Sequence, residues 1–193
     1  MKPALASLVA LLPLTGCANR PTAPVSRTPI ARHTAPALSK TFGSELLIVS
    51  YPAGWWVEPL AIGPRESEYS MAIRLSTQNR RDTIRIALNR HRPNCWYGNA
   101  DGRDLARMCA TAASRHQAIL QAGFVTIDRV RLAEVEHEAG QWHYLTLSSA
   151  KSSAKRRAAE LDVTAVCPVG QWPVQRATVM AILGSMRLFS GGA

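Results

Sequence analysis

Two stretches of strict two-residue alternation, followed at once by a three- and four-residue spacing, constrain this chain more than any other feature. From Glu68 to Ser76 the apolar positions are Tyr69, Met71, Ile73 and Leu75. From Asp82 to Asn89 they are Ile84, Ile86 and Leu88, set against Arg85, Ala87 and Asn89. That is the period of a half-buried strand. Directly afterwards Leu105, Met108, Cys109, Ala112, His116, Ile119 and Leu120 follow one face of a helix. Asp101 and Asp104 suit the positive N-terminal end of such a helix. Gly123 stands where helices commonly end in the left-handed conformation. The spacing predicts a helix over residues 103–121.

The flanking segments complete the pattern. Glu45 to Tyr51 is a short apolar strand stopped by Pro52-Ala53-Gly54, and Trp55-Trp56-Val57 begins another that ends near Pro59. Adjacent strand residues point to opposite sides, so one of Trp55 and Trp56 is expected in the core and the other toward solvent or under a helix. Phe124 to Val135 reads as a strand with an irregularity, a candidate bulge, at Asp128-Arg129. Trp142 to Leu147 is its antiparallel partner across the turn His137 to Gly140. Leu161 to Cys167 is a further strand. Trp172-Pro173 then opens a last helix with proline in its first turn and a core stripe of Val174, Ala177, Met180, Ala181, Leu183 and Met186. The order is four strands, helix, three strands, helix. The expected class is α+β, an antiparallel sheet of about 6–7 strands covered by two long helices. Residues 40–190 form a single globular domain of ordinary size, and residues 191–193 a frayed tail.

Tyr51-Pro52-Ala53-Gly54-Trp55 near the domain start and Ile182-Leu183-Gly184-Ser185-Met186 in the terminal helix resemble the PsbP-like family over residues 45–189. The resemblance implies an α-β-α sandwich on a central antiparallel sheet, and a binding or assembly role with no catalytic residue carried across. Trp56 and the insertion from Cys95 to Gly102 depart from the family pattern.

The N-terminus gives an address. Met1-Lys2-Pro3 precedes an apolar run, Ala4 to Leu14, that is too short to span a bilayer, which takes about 20 residues. It has the proportions of a secretory leader and runs into Leu14-Thr15-Gly16-Cys17. That motif resembles the bacterial lipobox, which implies cleavage after residue 16, acylation of Cys17 and a palmitate-type membrane anchor. Acyl chains contribute about 0.8 kcal/mol per buried CH₂, so two or three of them hold a protein on a membrane durably. Ala18 stands where an aspartate would signal inner-membrane retention in Gram-negative lipoproteins. The resemblance therefore implies the outer membrane, facing the periplasm. Residues 17–39, with Pro21, Pro24, Pro29 and Pro36 and no apolar period, read as a lipidated cysteine and a flexible tether.

Residues 1–16 hold Lys2 but none of the 13 acidic side chains, so the mature chain carries +9 against +10 for the whole. That excess suits an envelope protein or an anionic surface as partner. Lys151, Lys155, Arg156 and Arg157 form the densest patch and, with Trp55 and Trp56, are the candidate binding face. Basic residues interleaved with aromatics also occur in nucleic-acid binders, but an anchor outside the cytoplasm argues against that partner, except in a secretion or DNA-transfer apparatus. In an oxidising compartment one disulfide is expected. Cys95–Cys109 is the preferred pairing and Cys109–Cys167 the alternative, with Cys167 otherwise a buried small apolar residue.

No metal site or cofactor is expected. His137 and His143 flank a hairpin turn and could face each other, but they lack a third ligand, and His116 is expected to pack on the helix face. No catalytic residue is assigned. Glu134, Glu136 and Glu138 alternate on one strand face and are expected at solvent. The reading is a lipid-anchored, non-catalytic envelope protein. An envelope hydrolase of peptidoglycan or esters is the enzymatic alternative.

Overall fold

Among the described residues the chain's two hydrophobic periods resolve into ten strands and two helices. In chain order these are β1 (Leu38–Gly43), β2 (Leu47–Pro52), β3 (Trp55–Leu60), β4 (Met71–Thr77), β5 (Thr83–Asn89), α1 (Gly102–Ser114), β6 (Ala118–Ile127), β7 (Val130–Ala139), β8 (Trp142–Ser148), β9 (Glu160–Pro168), α2 (Trp172–Gly184) and β10 (Arg187–Leu188). A single 3₁₀ turn, Val169–Gln171, leads into α2. This computed structural model describes residues 34–62, 70–90, 96–150 and 158–189, all within one unit that begins at Arg32. Cys17, Cys95, most of the tether, the Lys151 to Arg157 patch and the tail after Phe189 lie outside the described residues.

Seven strands form the main sheet in the order β3-β4-β5-β9-β8-β7-β6, and β1-β2-β10 form a second, three-stranded sheet. Every strand pairing in the two sheets is antiparallel. The class is α+β. The motif Pro52-Ala53-Gly54-Trp55 is the corner between the sheets. Pro52 closes β2, Gly54 takes φ +83, and Trp55 enters the core at 5% exposure. Only glycine adopts that backbone angle without penalty.

One face of the main sheet carries Ile84, Ile86, Leu145, Leu147, Leu161 and Val163, each at 0% exposure, against Ile182 and Leu183 of α2 and Leu47 and Val49 of β2. Helix α2 packs on β2 and β9, and α1 packs on β6 and β7. Because β7, β8 and β9 alternate, the residues between the core positions, among them Val135, Tyr144 and Thr164, belong to the α1 side.

Several sequence expectations are corrected. Helix α1 ends at Ser114, not at 121. His116 takes φ +55 and is exposed rather than packed. Ile119, Leu120 and Gly123 belong to β6, an edge strand paired with β7. Their spacing fits a helix as well as a strand, and pairing with β7 decides between the two. The supposed bulge at Asp128-Arg129 is a two-residue hairpin turn with φ values of +43 and +70, so the segment is two strands and not one. Leu38 and Ser39, assigned to the tether, begin β1. The α2 core face is Trp172, Val179, Ile182 and Leu183, whereas Val174 is exposed. Among the described residues the strands number ten, the additional ones being β1, β10 and β6, which the turn at Asp128-Arg129 separates from β7.

Ser185 ties the end of α2 to the small sheet. Its hydroxyl accepts from the Ser50 N–H at 2.9 Å and lies 2.6 Å from the Ile182 carbonyl, to which it donates. Replacing Ser185 by alanine strands the Ser50 N–H, so Ser185→Ala is expected to cost about 1–2 kcal/mol in urea unfolding. A loss under about 0.5 kcal/mol would mean that solvent takes over the bond.

Candidate functional site

A cavity of about 380 Å³ lies between α1 and the outer face of β7, β8 and β9. Such a volume is at the small end of the range for small-molecule sites, roughly 300–1,000 Å³. The helix wall presents Asp104, Arg107, Met108, Thr111, Ala112 and Arg115, and the sheet wall presents Val135, His137, Tyr144, Thr146, Ser148 and Thr164.

Local chemistry fixes the helix wall. Asp101 caps α1 by accepting from the Arg103 and Asp104 N–H groups at 2.8 and 3.2 Å, and the Asp104 carboxylate accepts from the Asp101 N–H at 3.0 Å. This reciprocal box satisfies N–H groups that the first turn of a helix leaves open. Asp104 also receives the Arg107 guanidinium. The segment before α1 is stitched to the sheet: the Ala100 N–H donates to the Arg131 carbonyl at 2.8 Å, and the Arg131 N–H donates to Asn99 Oδ1 at 2.8 Å. Below it the wholly buried Arg90 guanidinium donates to the Tyr97 hydroxyl at 3.2 Å.

On the sheet wall, the His137 ring stacks on Tyr144 with centroids 5.0 Å apart and planes 2° apart. His137 is 7% exposed, and its Nδ1 has no hydrogen-bond partner. Burial, followed by the nearby His143, lowers its pKa, with the Val135 backbone partly opposing and Arg115 lowering it further. Ser148 donates to Asp162 at 2.6 Å. Ser148 and Ser152 each stand three residues before a lysine, Lys151 and Lys155, a spacing found in some acyl-enzyme nucleophiles. The Ser148 hydroxyl is buried and committed to Asp162, and the other three residues lie outside the described residues.

The opposite face of the same strands holds a buried polar cluster that sequence reasoning placed in solvent. Glu134 and Glu136 are each 6% exposed. Glu136 accepts from Trp172 Nε1 at 3.2 Å and Arg176 Nε at 3.1 Å. Burial, with Glu136 adding to it, raises the Glu134 pKa, against the lowering effect of Arg176. His143 stacks on Trp172 with centroids 4.2 Å apart, and its Nδ1 lies 3.4 Å from Glu138 Oε1. His137 and His143 do not face each other. In register, His137 pairs with Tyr144 and His143 with Glu138, which puts the two rings on opposite faces. The alternation of the three glutamates was legible. What hid their burial is that α2 supplies Trp172 and Arg176 as partners from 36 and 40 residues away.

The other candidate residues are scattered. Trp55 is spent on the core, while Trp56 is 60% exposed with Lys40 Nζ 5.1 Å from its ring centre. Cys109 is a half-buried free thiol on α1, and Cys167 is a buried free thiol, so the pairing between them is not made. Burial, and then Asp82, pushes the Cys167 pKa up to about 12, which leaves that thiol chemically inert. Among the described residues no group of three His, Cys, Asp or Glu side chains is placed to hold a metal ion.

Comparison with solved structures bears on the fold. The chain is similar to the solution structure of cyanobacterial PsbP (CyanoP) from Synechocystis sp. PCC 6803, with a TM-score of 0.51 at 11% identity, covering 78% of this chain and 92% of that one. The fold resembles that of PsbP. At so low an identity the PsbP-like likeness is one of architecture alone. A crystal structure from Bacteroides thetaiotaomicron VPI-5482 aligns more loosely, with a TM-score of 0.47 at 12% identity, over 79% of this chain and 49% of that one. No family model matches the chain, and no curated protein matches it.

The lowered pKa of His137 carries a pH dependence. Above about pH 6.5 both folded and unfolded chains hold the ring neutral. As pH falls below that value the unfolded chain takes up a proton that the folded chain resists, so stability drops until the folded ring protonates in turn. Between about pH 7.5 and pH 5, His137→Phe is expected to lose less unfolding free energy than the parent chain in urea titrations. Equal losses in the two chains would show that this ring does not contribute to acid sensitivity.

Proposed function

We propose that this chain is a lipid-anchored binding module of the cell envelope, held on the outer membrane through acylated Cys17 and acting by recognition rather than turnover. The cavity under α1 carries this reading. Its walls are largely carbon, and two of its polar groups are already engaged within the protein, Ser148 with Asp162 and Arg107 with Asp104. Ser148 is buried at 6% exposure and Arg107 is neutralised by Asp104, so both groups hold the shape of the site. The binding or assembly role implied by the resemblance to PsbP-like proteins points the same way. The mature net charge of +9 suits an envelope protein or an anionic surface as macromolecular partner. The basic residues Lys151, Lys155, Arg156 and Arg157 are the proposed contact, and the exposed Trp56 is a second point of attachment.

Two experiments test this reading. Cys17→Ser is expected to move the chain from the membrane to the soluble fraction and to abolish palmitate labelling; labelling that persists in the variant would overturn the anchor. Neutralising Lys151, Lys155, Arg156 and Arg157 together is expected to weaken binding to anionic vesicles and to flatten its salt dependence, with thermal stability nearly unchanged. Unaltered vesicle binding at low salt would remove this patch from the interface.

A further inference from the structure

We propose that the cavity under α1 binds a small carboxylate with an apolar body, its charge met by Arg115, a hydrogen bond to it donated by the neutral His137 imidazole, and its carbon body lying along Met108, Ala112, Val135 and Tyr144. This rests on the reading of the domain as a binding module and names the class of ligand that the module takes.

Three observations select that class. The first is the His137 ring, which lines the cavity at 7% exposure and is held there by its stack on Tyr144, so that an imidazole stands beside the apolar contacts of that wall. The second is the contrast between the two arginines of the helix wall. Arg107 is neutralised by Asp104, whereas Arg115, exposed at the end of α1, has no acidic partner among the described residues. An anionic group is what such a cation at a cavity edge selects. The third is the composition of the remaining wall. Met108, Ala112, Val135 and the Tyr144 ring offer apolar contact, and a volume of about 380 Å³ suits a medium-length chain or a single ring rather than a phospholipid. The Asp104 carboxylate on the same wall disfavours a multiply charged anion.

The test is calorimetric titration of the full chain carrying Cys17→Ser, which dispenses with detergent, using octanoate and 1-octanol as probes. Octanoate is expected to bind one to one, about fivefold more tightly than octanol. Arg115→Gln is expected to bring octanoate down to the level of octanol while leaving octanol unchanged. His137→Phe keeps the stack on Tyr144 and is expected to weaken octanoate selectively. Thr111→Trp, which blocks the cavity from an exposed position, is expected to abolish both. Thermal unfolding of each variant is measured first. Should His137→Phe fail to fold, Arg115→Gln and Thr111→Trp still decide, because both positions are exposed. Equal binding of the two probes, indifferent to Arg115→Gln but lost in Thr111→Trp, would overturn the carboxylate while leaving the cavity a binding site. Octanoate binding that survives Thr111→Trp would place the ligand elsewhere and overturn the proposal. No binding of either probe would overturn both the proposal and the reading of the cavity as a ligand site.

Discussion

The Glu136 carboxylate is the point from which the architecture can be understood. It is buried at 6% exposure, and a carboxylate so placed is tolerated only when charged or polar donors meet it. Trp172 Nε1 and Arg176 Nε supply them from the first two turns of α2. That pair of bonds fixes where α2 starts on the sheet, and the stacking of His143 on Trp172 tightens the same joint. At the far end of the helix, Ser185 bonds to Ser50 of β2. The helix is thus pinned at one end to the main sheet and at the other to the small sheet, with the apolar core between the two pins.

With α2 fixed on one face, strand alternation leaves the other face of β7, β8 and β9 to α1. The two interfaces differ in kind. Leu145, Leu147 and Val163 are wholly buried on the α2 side and make a closed, interdigitated core. On the α1 side the same strands present Tyr144, whose ring stacks on His137, and the short side chains Thr146, Ser148 and Thr164, which line the space beneath the helix. The helix is held at its N-terminal end by the Asp101–Asp104 box and by the Asn99 and Ala100 bonds to Arg131. It packs on β6 and β7 but spans the gap over β8 and β9. A cavity follows from this placement: the helix is anchored over β6 and β7 while short side chains line the strands beside them.

Local patterning made much of this legible. The alternation of Ile84, Ile86 and Leu88 identified β5 and the face it buries. Pro52-Ala53-Gly54 marked the corner where the chain leaves one sheet for the other, because proline ends pairing and Gly54 takes φ +83. The adjacent tryptophans separated as alternation requires, Trp55 inward and Trp56 outward. Pattern failed where two periods fit the same residues. Ile119 and Leu120 extend a helical spacing from Leu105, yet they lie in an edge strand, since β7 offers a row of backbone bonds that helix continuation past His116 cannot match.

The sequence by itself determined what each short segment could become, because strand alternation, helix caps and turn residues act through neighbours only a few positions away. It also determined the balance of charge, and it holds the Leu14–Cys17 motif on which the expectation of an anchor rests. Only the tertiary structure decided which polar residues are buried and what they meet. Glu136 looks like a solvent-facing glutamate until Trp172 and Arg176 are folded onto it, and His137 looks like half of a histidine pair until sheet register sends His143 to the opposite face. The cost of burying a polar group depends on partners contributed by distant segments, and nothing in the local pattern specifies them.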